Sequence, residues 1–349
     1  MENKFEIVGK NLEELEQFML ANDQSKFRAK QVYNWVYLKS VKTFDDMTDL
    51  PLSARELLKE KTQLCSVSIR DKQVSKDGTM KFLFELKDGS FAEAVLMRFD
   101  NRANLTACIS TQVGCPMGCT FCATAKLGFV RNLEIDEIIQ QIFLIQADTG
   151  LKVTNIVYMG QGEPLLNFDN LIGSINTFRE HFQIGARRIT VSTCGLIPQI
   201  NRLAELDFQS TLAISLHAPN QEKRAEIMPV ARKYKYDELI SALRKYTEKT
   251  GRRVTVEYVL MKDVNDSVDD AKQLAHAIAK LKSNVNLIVY NQNEKSPYKK
   301  PTKEAIQKFK YLLEASGKKV TIRLERGADI DAACGQLRQK YLEKENNNK

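Results

Sequence analysis

The feature that most constrains the fold is a strand-then-helix alternation that begins near residue 106. Six apolar, β-branched segments are each followed by an amphipathic stretch, at residues 106–110, 153–160, 187–193, 210–217, 252–261 and 285–290. In the first such stretch, Ile135, Ile138, Ile142 and Ile145 recur at helical spacing. Nearly continuous apolar strands joined by helices indicate a parallel sheet covered by helices, and right-handed crossovers curl such a sheet. Because a complete barrel of this kind has eight units, the six units predict an α/β fold with a partial (β/α)6 barrel.

The rest of the chain divides into three further regions. Residues 1–62 have helical patterns and are expected to form a small N-terminal accessory domain. Residues 63–100 contain strand-like segments, with Lys-Asp-Gly between the last two, which indicates a short antiparallel section. The predicted core covers residues 101–326, with a last strand at 318–324, and residues 327–349 form a C-terminal segment whose polar tail is expected to be disordered.

The composition favours a soluble enzyme of the cytoplasm. The 349 residues, 43% of them hydrophobic, suffice for a large core. There is no run of about 18 apolar residues, and the first residues lack the apolar centre of a signal peptide. We therefore expect a cytoplasmic protein without membrane contact. The net charge of +8, from 52 Lys and Arg against 44 Asp and Glu, suits an anionic partner without identifying it as nucleic acid.

Seven cysteines indicate metal or redox chemistry. Their number is odd, four of them lie within fifteen positions, and nothing else in the sequence indicates secretion. Cys115, Cys119 and Cys122 have the spacing C-x3-C-x2-C after the first predicted strand, where a parallel barrel carries its active site. Thiolates favour zinc or an iron-sulfur cluster. One interpretation is a zinc site closed by a distant cysteine such as Cys108; the other is a four-iron cluster on three cysteines, with one iron open to a cofactor or substrate.

The cysteine spacing, with Phe121 before the last cysteine, resembles that of the radical S-adenosylmethionine superfamily. Six ordered segments narrow the resemblance to the RlmN family of adenine-C2 RNA methyltransferases: CISTQVGCPMGCTFCATAKLGFVRNL, MGQGEPLLN, VSTCGL, ISLHAPN, VEYVLMKDVND and RGADIDAACGQL. The resemblance implies a [4Fe-4S] cluster and S-adenosylmethionine as cofactors, and radical methylation of carbon 2 of an adenosine in 23S rRNA and in tRNA. It also implies a flavodoxin-like reductant and an N-terminal domain that binds RNA, and we expect a monomer.

The same resemblance assigns reaction roles to three residues. Carbon 2 of adenine is electrophilic, so it does not attack a methyl sulfonium and a radical route is needed. In the related enzymes a cysteine is first methylated, its methyl group loses a hydrogen atom to a 5′-deoxyadenosyl radical, and the resulting carbon radical adds to the base. Cys334 matches the methyl-carrying cysteine and Glu93 a proton acceptor. Cys108 matches the residue that takes a proton from the adduct and then forms a transient disulfide with Cys334.

Cofactor contacts are carried over to residues that match the family segments. The expected cluster ligands are Cys115, Cys119 and Cys122, and the expected contacts of S-adenosylmethionine are Gly162, Glu163, Ser192, Ser215, His217 and Asn291. Cys65 and Cys194 have no assigned role and are expected to be packing thiols. Candidate RNA contacts are the N-terminal helices, the pairs Arg187–Arg188 and Arg252–Arg253, and the basic loop near Lys295. The target adenine would be extruded from its RNA context.

Three alternatives remain open. A sister family that methylates carbon 8 of the same ribosomal adenosine shares most of these segments. A non-enzymatic RNA-binding protein with a structural zinc would explain the cysteines and the basic charge. A radical activase that acts on a protein glycine would use the cluster but would leave Cys334 without a role.

Overall fold

The structure, a computed structural model, describes residues 4–98, 104–291, 296–323 and 326–332. Its strands are β1 (Phe5–Glu6), β2 (Thr62–Gln63), β3 (Ser68–Val74), β4 (Met80–Glu85), β5 (Phe91–Arg98), β6 (Leu105–Cys108), β7 (Gln112–Gly114), β8 (Phe129–Asn132), β9 (Asn155–Tyr158), β10 (Ile189–Thr193), β11 (Thr211–Ser215), β12 (Val254–Leu260), β13 (Ser283–Val289) and β14 (Lys319–Arg323). Its α-helices are α1 (Leu12–Leu20), α2 (Lys26–Tyr33), α3 (Leu52–Lys61), α4 (Ile135–Thr149), α5 (Phe168–Glu180), α6 (Ile197–Glu205), α7 (Gln221–Ile227), α8 (Val230–Lys233), α9 (Tyr236–Thr250), α10 (Val268–Ala277) and α11 (Lys303–Ala315).

A mixed sheet of ten strands forms the centre of the molecule, in the order β14-β13-β12-β11-β10-β9-β6-β5-β4-β3. Strands β6 and β9 to β14 run parallel, whereas β3 to β6 pair in antiparallel fashion. The six predicted units are present, because each of β6, β9, β10, β11, β12 and β13 is followed by at least one helix. The predicted α/β class with a partial barrel is confirmed, and β14 and β3 are the two edges of the described sheet.

The predicted antiparallel section is part of this same sheet. The Lys-Asp-Gly turn does form a hairpin, in which the Leu86 N–H donates to the Ser90 carbonyl at 2.8 Å. β5 then pairs with β6, so the sheet continues across the boundary that the sequence suggested at residue 100. Which strands pair is decided by contacts far apart in the chain, so periodicity alone does not reveal it. The proposed domain boundaries stay predictions.

Helix α4 holds the backbone that follows β6, shortly before Cys115. Its residues Ile138, Ile142 and Ile145 are fully buried against the sheet, as their helical spacing predicts. The buried Gln141 side chain accepts a hydrogen bond from the Ser110 N–H at 2.9 Å and donates one to the Ser110 carbonyl at 3.0 Å. The backbone that follows β6 therefore has hydrogen-bond partners although it has left the strand ladder.

The N-terminal region is largely helical, as predicted, and contacts the barrel. Its helices α1 to α3 are framed by two short strands, since β1 pairs in parallel with β2. The Tyr33 hydroxyl and His181 Nδ1 are 2.6 Å apart, which joins α2 to the residue after α5. In the part of the chain that the structure describes, we find no helix with the length and apolar composition that crossing a bilayer requires.

A short antiparallel pair that the sequence did not reveal carries the cysteine loop, which we define as residues 115–128. Strands β7 and β8 pair on either side of it, and the Cys115 N–H donates to the Gly128 carbonyl at 2.8 Å. Gly114 has a φ of +76°, and a Cβ atom there would lie 2.1 Å from the carbonyl oxygen of Gly128. The base of the loop therefore requires glycine.

We expect Gly114→Ala to destabilise the base of the cysteine loop. An L-residue pays about 1–2 kcal/mol in the left-handed region, and here a contact with the Gly128 carbonyl adds to that cost. Gly89 has the same φ of +76° with nothing within 4 Å of its Cβ position, so Gly89→Ala is a matched control. Urea unfolding should show a larger loss of unfolding free energy for Gly114→Ala. Equal losses would contradict the steric explanation.

Candidate active site

The cysteine loop is attached to the barrel by contacts near its tip. The Thr120 N–H donates to the Ile227 carbonyl at 3.0 Å, and the Thr120 hydroxyl lies 2.6 Å from the Tyr298 hydroxyl. The sulfur atoms of Met117 and Cys194 are 3.2 Å apart. These contacts join the loop to the end of α7 and to the segments that follow β10 and β13, so its thiols have a defined position over the strand ends.

One cavity collects the residues that the sequence selected for cofactor binding. It lies at the carboxyl ends of the parallel strands, where barrels of this type place their sites. Its lining includes the three cysteines of the loop and all six predicted cofactor contacts, Gly162, Glu163, Ser192, Ser215, His217 and Asn291. Cys194 also lines it, in addition to being a buried packing thiol as predicted.

Glu163 is buried and holds two turns together. One carboxylate oxygen accepts the Leu165 N–H at 3.0 Å, and the other accepts the Cys194 N–H at 2.7 Å. Burial raises the pKa of Glu163, and these hydrogen bonds oppose that rise. Gly162, before it, has a φ of +102°, and a Cβ there would lie 2.6 Å from the Gln112 side chain. The Thr193 and Cys194 side chains also hydrogen-bond to this carboxylate, so its roughly four acceptor positions already have protein partners.

The three thiols are suited to a metal centre that replaces their protons. Burial raises the pKa of Cys115 to about 12, with a further contribution from Cys122, whereas backbone N–H groups of Met117 and Gly162 lower it. Burial and the other two thiols also raise the pKa of Cys119. Over the described residues, no three His, Cys, Asp or Glu side chains are close enough to share one metal ion.

Some polar residues at the later strand ends already have hydrogen-bond partners within the protein, and others do not. The hydroxyls of Ser192 and Ser215 are 3.4 Å apart. His217 is buried, and its Nδ1 accepts the Val259 N–H at 3.1 Å, so the neutral ring carries its proton on Nε2. The Asn291 Oδ1 atom is buried and has no hydrogen-bond partner in the part of the chain that the structure describes. An acceptor of this kind in a cavity wall fits a ligand that donates a hydrogen bond.

Two functional candidates were not selected from the sequence. Glu257 lines the cavity and accepts the Asn286 amide at 3.0 Å on one oxygen, and no described residue hydrogen-bonds to the other oxygen. Burial raises the pKa of Glu257, and the charge of Arg323 opposes that rise. Arg224 is completely buried on α7, beneath the cysteine loop. The sequence did contain a signal for both residues: Glu257 is a charged residue within an apolar strand, and Arg224 is a charged residue on a short helix. Charged side chains are costly to bury, so such positions call for a reason.

Comparison with known proteins agrees with this geometry. The sequence model of the radical SAM superfamily matches residues 109–275, and that of the ribosomal RNA large subunit methyltransferase N-terminal domain matches residues 5–64. The probable dual-specificity RNA methyltransferase RlmN of Alkaliphilus oremlandii is 48% identical over 343 residues, covering 97% of this chain and 99% of the relative. The chain belongs to the RlmN family. The probable dual-specificity RNA methyltransferase RlmN of Clostridioides difficile is 47% identical, covering 98% of this chain and 100% of the relative.

A solved structure shows the same fold in a related protein. The crystal structure of a radical SAM methyltransferase from Sphaerobacter thermophilus is 41% identical, covers 96% of this chain and 99% of its own, and superposes with a TM-score of 0.89. This RlmN-family chain is therefore an RNA methyltransferase of the radical SAM superfamily, which confirms the predicted family, fold class and enzyme class. The non-enzymatic zinc protein receives no support. The roles of single residues remain predictions.

Glu93 and Cys108 lie beside the cavity rather than in its wall. Glu93 is buried on β5, where its carboxylate lies 3.9 Å from the Lys81 ammonium and 3.4 Å from the Gln161 amide nitrogen. Gln161 belongs to the turn that contains Gly162. Glu93 therefore contacts this turn on the side that faces away from the cavity. Cys108, at the end of β6, is buried in a small apolar cluster with Val95, Met97 and Ala332.

The described chain ends next to Cys108. Cys334 itself lies outside the described residues, but it follows Ala332 by two positions, a length of chain that spans at most about 7 Å. We call the contacts that hold this segment the hairpin latch, which comprises residues 75–79 and 327–329. In it, Asp329 accepts hydrogen bonds from the Ser75 hydroxyl at 2.6 Å and the Lys76 N–H at 3.2 Å, and Asp77 accepts the Gly327 N–H at 3.0 Å.

The predicted RNA contacts fall in two different places. Arg187–Arg188 and Arg252–Arg253 directly precede β10 and β12, at the amino ends of the strands and therefore opposite the cavity. They do not lie where RNA that enters the cavity would pass. Lys295 lies outside the described residues. In the same loop, Lys299 and Lys300 are exposed next to Tyr298, which contacts the cysteine loop.

We expect Asp329→Ala to loosen the segment that covers Cys108. The measurement is the rate at which iodoacetamide alkylates the Cys108 peptide, which should rise severalfold because Ala332 no longer shields the thiol. Asp45→Ala, which removes an exposed acid outside the latch, should leave the rate unchanged. An unchanged rate in Asp329→Ala would show that the latch does not hold this segment.

The latch should be insensitive to pH over the physiological range. Burial alone would raise the pKa of Asp77, but hydrogen bonds from Thr79 and Gly327 outweigh it and lower this pKa to about 2. A carboxyl group with a lowered folded pKa stabilises the fold above its unfolded pKa of about 3.9 and loses that contribution as pH falls toward the folded value. The alkylation rate of Cys108, corrected for thiol ionisation, should therefore stay constant between pH 6 and 8.

We expect His217 to make the fold less stable in mild acid. Burial, together with the positive charge of Arg224, lowers the pKa of His217 to about 3. The unfolded histidine has a pKa of about 6.5, so the unfolded state binds more protons between these values and the free energy of unfolding rises with pH across this window. His217→Gln should flatten that rise in urea unfolding at pH 4.5 to 7, whereas His276→Gln, at an exposed site, should not.

Proposed function

We propose that this chain methylates carbon 2 of an adenosine in 23S rRNA and of an anticodon-loop adenosine in tRNA. The observation that carries the proposal is the single cavity lined by the three cysteines and the six predicted cofactor contacts. The relatives that resemble the chain over nearly its whole length are named dual-specificity RNA methyltransferases, which supports two RNA substrates.

The cofactors of the proposal are a [4Fe-4S] cluster and S-adenosylmethionine. Three soft thiol ligands on one loop suit the cluster, and the adjoining cavity contains a turn without a side chain at Gly162 and a buried free acceptor at Asn291. When bound, the two groups supply the one-electron chemistry that removes a hydrogen atom from a methyl group. Glu163, Ser192, Ser215, His217 and Asn291 would hold S-adenosylmethionine in the orientation that this chemistry requires.

The chain's own reactive groups are two thiols and a carboxylate. Cys334 would carry the methyl group to the base, and Cys108 would accept a proton from the adduct and then form a disulfide that releases the product. The packing of Ala332 against Cys108 supports this pairing, because it brings the end of the described chain to the second thiol. Glu93 would accept a proton, and its ion pair with Lys81 stabilises the charged form.

The partners of the proposal follow from the location of the cavity. The exposed Lys299 and Lys300 beside the cysteine loop suit contacts to phosphates of an RNA that delivers an extruded adenine. The N-terminal helical domain would bind other parts of the RNA, and a flavodoxin-like protein would donate the electron. We expect the enzyme to act as a monomer in the cytoplasm.

The first experiment is anaerobic reconstitution with iron and sulfide, followed by incubation with S-adenosylmethionine, a reductant and a 23S rRNA fragment or tRNA. Mass spectrometry of the digested nucleosides should detect 2-methyladenosine. Appearance of 8-methyladenosine would replace the proposal with the sister activity. A brown protein with iron and sulfide that methylates neither RNA would overturn the substrate assignment while leaving the cluster intact.

Two cysteine variants separate the steps of the reaction. We expect Cys334→Ala to abolish product, because no thiol then carries the methyl group. Cys108→Ala should stop after addition to the base and accumulate RNA that is covalently attached to Cys334, which denaturing gel electrophoresis detects. Cys65 does not line the cavity. Cys65→Ala is therefore the matched control and should retain activity within about twofold. Full activity of Cys334→Ala would instead favour a radical activase.

A further inference from the structure

Arg224 is a buried cation for which the protein supplies no counter-ion among the described residues. Its side chain is 0% exposed. It donates hydrogen bonds to three backbone carbonyls, those of Cys194 at 2.5 Å, Leu216 at 3.2 Å and Ser215 at 3.3 Å. Its Nη1 atom is buried, and within residues 4–98, 104–291, 296–323 and 326–332 this atom has no hydrogen-bond partner and the guanidinium group forms no ion pair.

An isolated buried charge is expensive, so this arrangement requires an explanation. The effective cost of removing an ion from water is several kcal/mol, and a fold normally offsets it with an opposite charge. A guanidinium group does not escape the cost by losing its proton, because it stays charged in proteins. Carbonyl dipoles offset part of the cost. Among the described residues, these carbonyls leave the Nη1 donor without a protein partner.

The cysteine loop is the neighbour that can supply negative charge. Helix α7, which carries Arg224, ends at Ile227, whose carbonyl accepts the Thr120 N–H of the loop. The carbonyl that Arg224 holds belongs to Cys194, whose sulfur contacts Met117 of the loop. The positive charge of Arg224 also opposes the rise in the pKa of Cys119 that burial causes.

Arg224 faces the loop from behind and does not reach the cofactor. It is absent from the residues that line the cavity, in contrast to Ser192, His217 and Glu257. The groups that act on it electrostatically are Cys194, Tyr236 and Cys119, which are neutral as free thiols and phenol. Thiolates on a metal centre would therefore add negative charge on the loop side of Arg224, whereas the Glu163 carboxylate binds the N–H of Cys194 and forms no ion pair with Arg224 among the described residues.

We propose that Arg224 is the buried counter-charge of the iron-sulfur cluster and raises the cluster's reduction potential. This inference rests on the cluster of the proposed function. The electron arrives from the external reductant, no bond is made or broken, and the cluster with its three thiolates becomes more negative by one unit. A fixed positive charge in a poorly solvated environment stabilises the reduced form more than the oxidised form. Arg224 thus tunes the centre without touching substrate.

The test is a potentiometric titration of the reconstituted protein, followed by the electron paramagnetic resonance signal of the reduced cluster. Arg224→Met removes the charge, and Arg224→Lys keeps it. Arg232→Met removes the same charge from an exposed position on α8 and is the matched control. Iron and sulfide are measured in every sample, so that loss of the cluster is distinguished from a change of its potential.

We expect Arg224→Met to retain the cluster with a more negative midpoint potential. At the wild-type midpoint, its ratio of reduced to oxidised cluster should be at least tenfold lower, which corresponds to about 59 mV for a one-electron couple. Arg224→Lys and Arg232→Met should remain within about threefold of the wild-type ratio. A full cluster with wild-type potential in Arg224→Met would overturn the proposal.

A second variant without the charge keeps the proposal testable if Arg224→Met cannot be measured. If Arg224→Met does not fold or binds no iron, Arg224→Gln, which keeps N–H donors for the carbonyls, is titrated and judged by the same ratios. Loss of the cluster in both neutral variants but not in Arg224→Lys would support the requirement for charge. Loss in all three would show a role in holding carbonyls instead. A wild-type protein without iron and sulfide would overturn the cluster proposal itself, together with this one.

Discussion

Glu163 and Arg224 both bind the backbone of Cys194, and this link determines how three strand ends are arranged. The carboxylate accepts the Cys194 N–H, and the guanidinium donates to the Cys194 carbonyl and onward to Ser215 and Leu216. Beyond the ends of β9, β10 and β11 the backbone leaves the ladder and needs other partners. Because these side chains supply them, the three strand ends are held in fixed positions around the cavity and beside the cysteine loop.

The sequence was informative where local chemistry decides the structure. The helical spacing of the isoleucines in α4 and the β-branched strands correctly predicted the six βα units, and C-x3-C-x2-C marked the loop because thiolates on one short segment have few other uses. The β7–β8 pair was missed because strands of three and four residues leave no periodicity. The junction of β5 with β6 was missed because strand pairing is decided by contacts between distant residues.

In the site, too, the sequence identified residue types better than it identified their positions in the fold. Gly162, Glu163 and the polar strand ends were found through their family segments, and the cavity brings them together. Glu257 and Arg224 were visible as charged residues in segments with a buried pattern, but only the fold shows that each has a nitrogen or oxygen atom with no partner among the described residues. The sequence did not reveal that the paired arginines lie at the amino ends of β10 and β12, because charge in a sequence carries no information about which end of the sheet it will occupy, and their contact with RNA stays a prediction.

The hairpin latch joins residues that are among the most distant in the chain, since Ser75 and Asp329 are 254 positions apart. One partner lies beside β3 and the other follows β14, and these strands are opposite edges of the sheet. Contacts of such long sequence separation are costly to close before the intervening structure exists. The final segment therefore docks only on a sheet whose strands are all in place. A nascent or damaged molecule with an incomplete sheet would lack one side of the hairpin latch, and residues 327–332 would not cover Cys108, so exposure of this thiol reports whether the sheet is complete.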